Sequence, residues 1–355
     1  MTRKPARYWK NPFLIRLANW EYWSFGAVYI WMLPCWCRLA IRARSLFFFN
    51  ACNPTIENGG MLNESKKDIH ALMDPGLYPR TLHFSVPAHP ASVAESLQAA
   101  GLPFPLMAKP DIGGKGRGIR KLLGPSDLED YVAHSVLDFH LQEYVDLPCE
   151  AGIFYHRYPD ASKGRVTGIV RKEFLHVVGD GRSTVRALLQ QEPRGIIFLE
   201  RSARLRDPRF DIVPEAGVRH LVSPVGNHAR GTLFIDDSHL ADERLNRRMD
   251  AIADGIRGFC YGRLDIRFRD WQSFLDGDAF SVIEVNGAGA EPAHMYDPRH
   301  GIRFAWREIA RHWRIMLSVS RVNHLRGTPY LTFREGVRMF RLERELSRRL
   351  ARMPE

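Results

Sequence analysis

Two carboxylates and one amide stand where they could share a metal ion. Asp265 lies in "GRLDIRF", and Glu284 and Asn286 lie in "VIEVNG". Both stretches read as strands separated by a turn around Gly277. Side chains alternate along a strand, so Glu284 and Asn286 point to one face, and Asp265 joins them if the two strands are neighbours. Three hard oxygen donors suit magnesium and make a poor zinc site. The competing reading is a pair of acids decorating a sheet. A second stretch, "FPLMAKPDIGGKGRGI", ends an apolar run with Lys109 and then offers Gly113, Gly114, Lys115, Gly116 and Gly118. Glycines let backbone amides approach phosphate closely and lysines offset its charge. An ordinary glycine-rich turn with solvated charges has the same composition.

The surrounding elements decide whether these residues can meet. "SLFFFNACNP" reads as a buried strand, "ESKKDIHALM" as a helix from Ser65, "YPRTLHFSV" as a strand and "ASVAESLQAAG" as a helix stopping at Gly101. This alternation predicts a small α/β unit. Phe104–Ala108 is the next strand, and "SDLEDYVAHSV" carries Ser126 and Glu129 at capping-box spacing. "DFHLQEYV" is a strand, "EAGIFYHRY" and "RVTGIVRKEF" an antiparallel pair, and "TVRALLQQ" a helix. From Glu200 to Val222 the chain is irregular and charged, an excursion or lid. "DERLNRRMDAIADGIRGF" is an amphipathic helix, and the chain from Ile302 is helical and basic. The expected divisions are 1–44, 45–102, 103–180, 181–300 and 301–355.

Taken in order, these stretches resemble the ATP-grasp enzymes, most closely the D-alanine:D-alanine ligase branch with the cyanophycin-synthetase and ribosomal-protein glutamate-ligase branches. The resemblance covers about Phe104 to Ala290. It implies an α+β ATP-grasp fold, two α+β lobes clasping ATP. A short α/β pre-ATP-grasp domain and an aromatic N-terminal helical segment would precede it. "LMAKP" matches a strand-end lysine, which implies that Lys109 contacts ATP phosphates. "DIGGKGRGI" matches the glycine loop that closes over them. "LQEYVDLPCE" matches the adenine and ribose segment, with Glu143 and Val145 on the adenine side and Glu150 at the ribose. Lys172 falls near a second phosphate lysine, with Arg171 as the alternative. "GNHARGT" resembles the Asn-x-x-Arg-Gly segment of the glutamate ligases, which implicates Asn227 and Arg230. "GRLDIRF" and "IEVNGAGA" match the metal strands, with Arg263 beside the transferred phosphoryl group and Asp265, Glu284 and Asn286 on the metal.

The implied activity is ADP-forming ligation of a carboxylate to an amine. The cofactors would be ATP and two Mg2+, with Mn2+ as a substitute. A membrane-associated nucleotide-binding regulatory or scaffold protein and a phosphotransferase without ligation are the alternatives. After Asn286 the chain runs Gly-Ala-Gly-Ala-Glu where D-alanine ligases run Thr-Ser-Pro-Gly-Met, and "IENGGMLNESK" echoes the family's first glycine pair only loosely. A different acceptor follows from that departure.

Charge and composition bound the partners. The chain has 355 residues, 45% hydrophobic and 26% charged, with a net charge of +11. That profile predicts a folded, enzyme-sized protein and favours an anionic partner. Its aromatics do not form a base-stacking platform, so nucleic acid is not expected. Five scattered cysteines indicate neither a disulfide framework nor a zinc site and fit a reducing cytoplasm. "WSFGAVYIWMLPCWC", flanked by arginines, is too short to span a bilayer. It suits either an anionic membrane surface on the inner face or packing on the body or a homodimer interface. His228 and His294 lie near the candidate site, and a hydrogen-bonded loop histidine is the plain reading of each.

Overall fold

The computed structural model describes residues 10–114, 116–201, 208–223 and 226–351. Its centre is two antiparallel sheets. The smaller has the order β1-β4-β2-β3, from β1 (Thr81–Phe84), β2 (Leu106–Pro110), β3 (Arg120–Leu122) and β4 (Phe139–Glu143). Strand alternation gives it two faces. Leu106, Ala108, Phe139 and Leu141 pack under the helices Pro90–Ala99 and Pro125–His134, with Val93, Leu97, Leu128 and Val132. The opposite face is polar yet buried, and carries Lys109, His140 and Gln142.

The larger sheet has the order β11-β10-β5-β6-β9. Its strands are β5 (Cys149–His156), β6 (Arg165–Glu173), β9 (Leu233–Asp236), β10 (Tyr261–Phe268) and β11 (Phe280–Asn286). A short ribbon pairs β7 (His176–Val178) with β8 (Arg219–Leu221). Ile153, Leu264, Ile266, Val282 and Val285 form the main core with Leu245, Met249 and Ile252 of the helix Glu243–Asp254. Asp242 starts that helix by accepting from the Leu245 amide at 2.7 Å. With Leu264 and Ile266 inward, Arg263, Asp265 and Arg267 must occupy the other face of β10.

Several expectations need correction. "SLFFFNACNP" is not a strand: Phe48–Cys52 is a 3-10 turn. Its burial is as read, since Phe48, Phe49 and Cys52 lie in a core cluster with Met316, Leu317 and Val319 of the helix Ile302–Leu325. Apolar content signalled an interior position but not a conformation. Ser126 does not cap its helix, which begins one residue earlier at Pro125 with Gly124 as N-cap. Proline preset for the first helical position outranks a serine there. The connection between β10 and β11 is a helix, Trp271–Asp276, capped by Asp270 and ended by Gly277 at φ 98°. The helix Pro193–Arg201 was not anticipated. In the excursion, 202–207 lie outside the described residues, and Arg219–Leu221 is strand. Sheet membership also crosses the expected divisions. β1 from 45–102 pairs with β4, and β5 and β6 from 103–180 belong to the larger sheet.

The aromatic N-terminal segment packs on the body through one side. Trp20, Val28 and Met32 are buried with Met295, Ala305 and Ile309, and the Trp36 ring meets Trp313 edge-on at 4.9 Å. Phe25, Ile30, Trp31, Leu33 and Ile41 are exposed. No helix among the described residues is long and apolar enough to cross a membrane.

Under the helix Ile302–Leu325, Glu308 accepts from His294 at 3.3 Å and from Arg311 at 3.1 Å, and His312 meets the Thr167 hydroxyl at 3.0 Å. Burial pushes His312 down to about 3. Burial alone would raise Glu308, but His294 and Arg311 hold it at about 2. Both groups are lowered on folding, so the unfolded chain binds more protons as pH falls below 6.5 and then 4.5. We predict urea midpoints that decline steadily from pH 7 to pH 4; a midpoint that is flat or rises over that range would contradict the assignment.

Candidate active site

The site is built by strand register. Asp265 of β10 stands directly opposite Glu284 of β11, and Arg263 opposite Asn286. On its other side β10 pairs with β5, which sets Asp265 against Gly152 and Arg267 against Glu150. A Cβ at Gly152 would come within 2.9 Å of the Asp265 Oδ1, so glycine there lets the carboxylate lie across the strand. From β6, the Lys172 ammonium reaches Glu150 at 2.8 Å and Asp265 at 2.9 Å, with all three side chains buried. Arg263 donates to both Asp265 oxygens, at 2.8 and 3.2 Å. Arg267 donates to Glu150 at 2.9 Å and to the Val145 carbonyl at 2.7 Å.

These charges are taken out of water together, and each shift follows from that. Burial would raise the Asp265 carboxyl, but Arg263 and Lys172 override it and hold it at about 2. Burial would likewise raise Glu150, and Lys172 and Arg267 keep it below the carboxylate range. Burial would lower Lys172, which Asp265 and Glu150 instead hold above its ordinary value. Lys109, on the facing sheet, has no carboxylate in ion-pair contact among the described residues. Its ammonium donates to the Gln142 side chain at 2.7 Å. Burial pushes it down to about 8, opposed by the charges of Glu284 and Glu150 across the cleft.

The structure therefore brings together Lys109, Val145, Glu150, Lys172, Arg263, Asp265, Glu284 and Asn286. Arg171 is set apart: it is half-exposed and paired with Asp237 and Glu173. Gly116 and Gly118 adopt positive φ, 74° and 67°, in the loop between β2 and β3, and Gly113 and Gly114 precede them. Lys115 lies outside the described residues. Arg230 donates to the Gly116 carbonyl at 3.0 Å, which ties the Asn227–Arg230 segment to the glycine loop. Asn227 closes that segment with its carbonyl, bonded to the Arg230 amide at 2.9 Å. Glu143 stays outside the buried network, half-exposed and paired with Arg80 at 3.1 Å.

Other members were missed in the sequence. Arg267 was legible, because it is two residues beyond Asp265 on the same strand face. Its guanidinium lies over Phe174 and Tyr144, 5.1 and 5.6 Å from the ring centroids. Tyr29 had no signal: it comes from the N-terminal segment to donate to Glu291 at 2.6 Å, beside Tyr296 at 3.1 Å. The Arg263 guanidinium donates to the Glu291 carbonyl at 3.3 Å. Glu21 meets His228 at 2.9 Å in the same way.

The donor set fits a hard dication. Asp265 and Glu284 supply opposed carboxylates, and no hydrogen bond or ion pair engages Glu284 among the described residues. The Asn286 amide nitrogen is buried without a partner, so its side chain is not committed elsewhere. An ion held there would share Asp265 with Arg263 and Lys172.

No protein-family model and no curated protein matches the chain. Among solved structures, it is similar to VanG D-Ala:D-Ser ligase from Enterococcus faecalis, at 14% identity and TM-score 0.43. That match covers 74% of this chain and 63% of that one. D-alanine–D-alanine ligase from Bacillus anthracis matches at 14% identity and TM-score 0.43, over 77% and 71%. A bifunctional glutathione synthetase from Pasteurella multocida matches at 14% and TM-score 0.32, over 72% of this chain and 38% of its own.

Replacing Lys172 by Met would leave Glu150 and Asp265 facing each other, buried and short of one cation. We predict a loss of about 3–5 kcal/mol in unfolding free energy at pH 7, measured by urea denaturation; a loss under about 1 kcal/mol would show that the pair is not held by Lys172.

Proposed function

We propose that this chain is an ATP-grasp ligase that joins a carboxylate to an amine with release of ADP and phosphate. The observation that carries the reading is the register of β10 and β11. It sets Asp265 against Glu284 and Arg263 against Asn286, on the face that Lys109 approaches from the other sheet.

In the proposed reaction a substrate carboxylate oxygen attacks the γ-phosphorus of ATP, ADP leaves, and the amine then displaces phosphate from the acyl carbon. Magnesium would be held by Asp265, Glu284 and Asn286 and would neutralise charge on the phosphate oxygens. The chain's own residues do the rest. Lys109 and the backbone amides of the Gly113–Gly118 loop cradle phosphate, and Arg230 holds that loop through Gly116. Arg263, fixed in direction by Asp265, presents its guanidinium where charge moves. Arg267 with Tyr144 and Phe174 forms a cationic and aromatic wall suited to a purine and its ribose. Rate would come from position and electrostatics more than from proton transfer. Beyond Arg263, Glu291 sits between Tyr29 and Tyr296 on the acceptor side. That carboxylate suits a cationic amine and accounts for the departure from the D-alanine pattern after Asn286.

ADP formation with pooled carboxylates and amines tests the reading. We expect amine-dependent ADP release that falls on the order of 100-fold or more in Asp265→Asn and in Glu284→Gln, with circular dichroism unchanged. Full turnover in both variants would refute the site. The Lys109 ammonium adds a pH signature: above pH 8 the free protein loses that proton, so ATP affinity should fall by up to about tenfold per pH unit. Calorimetry should show the fall in the wild type and a flat profile in Lys109→Met; the same slope in both would remove Lys109 from the phosphate site.

A further inference from the structure

The polar face of the small sheet carries a second cluster that the proposed reaction does not use. His83 and His140 are directly opposed partners in the β1–β4 pairing. Asp111 follows β2 by one residue. A ring nitrogen from each histidine and a carboxylate oxygen of Asp111 all lie within 4.8 Å of one another. The helix Lys66–His70 covers the group. From it, His70 places Nδ1 3.4 Å from Nε2 of His83, its ring stacked on Tyr78 at 4.3 Å. His140 is 1% exposed, and the Nδ1 atoms of both His83 and His140 are buried without a hydrogen-bond partner. A buried polar atom left unpaired is costly. Two of them on histidines that share a cluster with one carboxylate ask for a ligand.

We propose that His83, His140 and Asp111 bind a transition-metal dication of the zinc class. Imidazole nitrogens suit such an ion and not magnesium. Tetrahedral zinc holds ligands at about 2.0–2.1 Å, which puts neighbouring ligand atoms about 3.3 Å apart. The three ligand atoms, already within 4.8 Å of one another, need only close in, and the His70 contact, made to Nε2 of His83, leaves Nδ1 for the ion. Two cations oppose the site. Lys66 donates to the carbonyls of Asp111 and Gly113, and Lys109 lies opposite His140 in the β2–β4 pairing. Asp111 supplies the compensating charge, and its Oδ1 also accepts from the Lys67 amide at 2.8 Å.

The consequence is mechanical. Asp111 is the root of the glycine loop, and it ties to the first turn of the helix Lys66–His70 through Lys67. A metal joining it to β1 and β4 would anchor the base of that loop. The site is separate from Asp265, Glu284 and Asn286, and its occupancy does not depend on the ligase reading.

The test titrates chelator-treated full-length protein with Zn2+ against a chromophoric competitor, in millimolar Mg2+ to fill the oxygen site. One Zn2+ per chain is expected, with affinity lowered about tenfold or more in His83→Gln and in Asp111→Asn and unchanged in Glu284→Gln. Cobalt in place of zinc should give the visible absorption of a four-coordinate site, lost in His83→Gln. Circular dichroism checks that each variant folds, and the wild-type stoichiometry stands without them. Absence of stoichiometric binding, binding that survives both substitutions, or binding abolished by Glu284→Gln would overturn the proposal.

Discussion

Lys172 holds two buried carboxylates, Glu150 and Asp265, within 2.9 Å of one ammonium, and the rest of the site depends on that contact. Desolvating any one of these charges alone costs several kcal/mol. The arrangement persists because Arg263 and Arg267 close the network at either end of the same strand face. Such a network is less a source of stability than a device for holding direction. Each of these cations, on the sheet face that Lys109 approaches, is fixed by a carboxylate and cannot turn away without abandoning it. An anionic ligand entering there meets groups already oriented, which is the condition for electrostatic stabilisation without reorganisation.

The surrounding fold sets these groups on one sheet face. Alternation along β10 sends Leu264 and Ile266 into the core and Arg263, Asp265 and Arg267 into the cleft, so one strand serves packing and chemistry at once. The helix Ile302–Leu325 packs on the same sheet face as Arg263 and Asp265, beside them, where Phe154, Tyr261 and Met316 meet. Close backbone approach is built in at two glycines. A Cβ at Gly152 would meet Asp265, and one at Gly226 would fall 2.3 Å from the Glu150 carboxylate. The N-terminal segment reaches Glu291 through Tyr29 and His228 through Glu21, so a region far away in sequence packs beside Arg263 and the Asn227–Arg230 segment.

How much of this could be read beforehand follows from the range of each interaction. The pairing of Asp265 with Glu284 was legible because two short strands joined by a brief connection tend to be neighbours, and period-two alternation then fixes the shared face. Lys109 was legible from its place at a strand end before the glycines. Arg267 could have been found by the same alternation. The Tyr29–Glu291 and Glu21–His228 contacts span more than 200 residues of chain, and nothing local encodes them. The Phe48–Cys52 turn was misread because phenylalanine content reports burial in strand and helix alike. The pairing of β5 and β6 with β10 and β9 was not legible, because hydrogen-bond partners, not chain position, decide which sheet a strand joins.

The central claim is that the carboxylates gathered on β10 and β11 exist to hold a metal-bound nucleotide against Lys109. A crystal structure of the protein with a non-hydrolysable ATP analogue and Mn2+, using the anomalous signal of manganese, tests it most directly. The account predicts manganese within coordination distance of Asp265, Glu284 and Asn286, with the phosphates between it and Lys109. Nucleotide bound elsewhere, or manganese absent from those three side chains in a nucleotide-bound crystal, would contradict it.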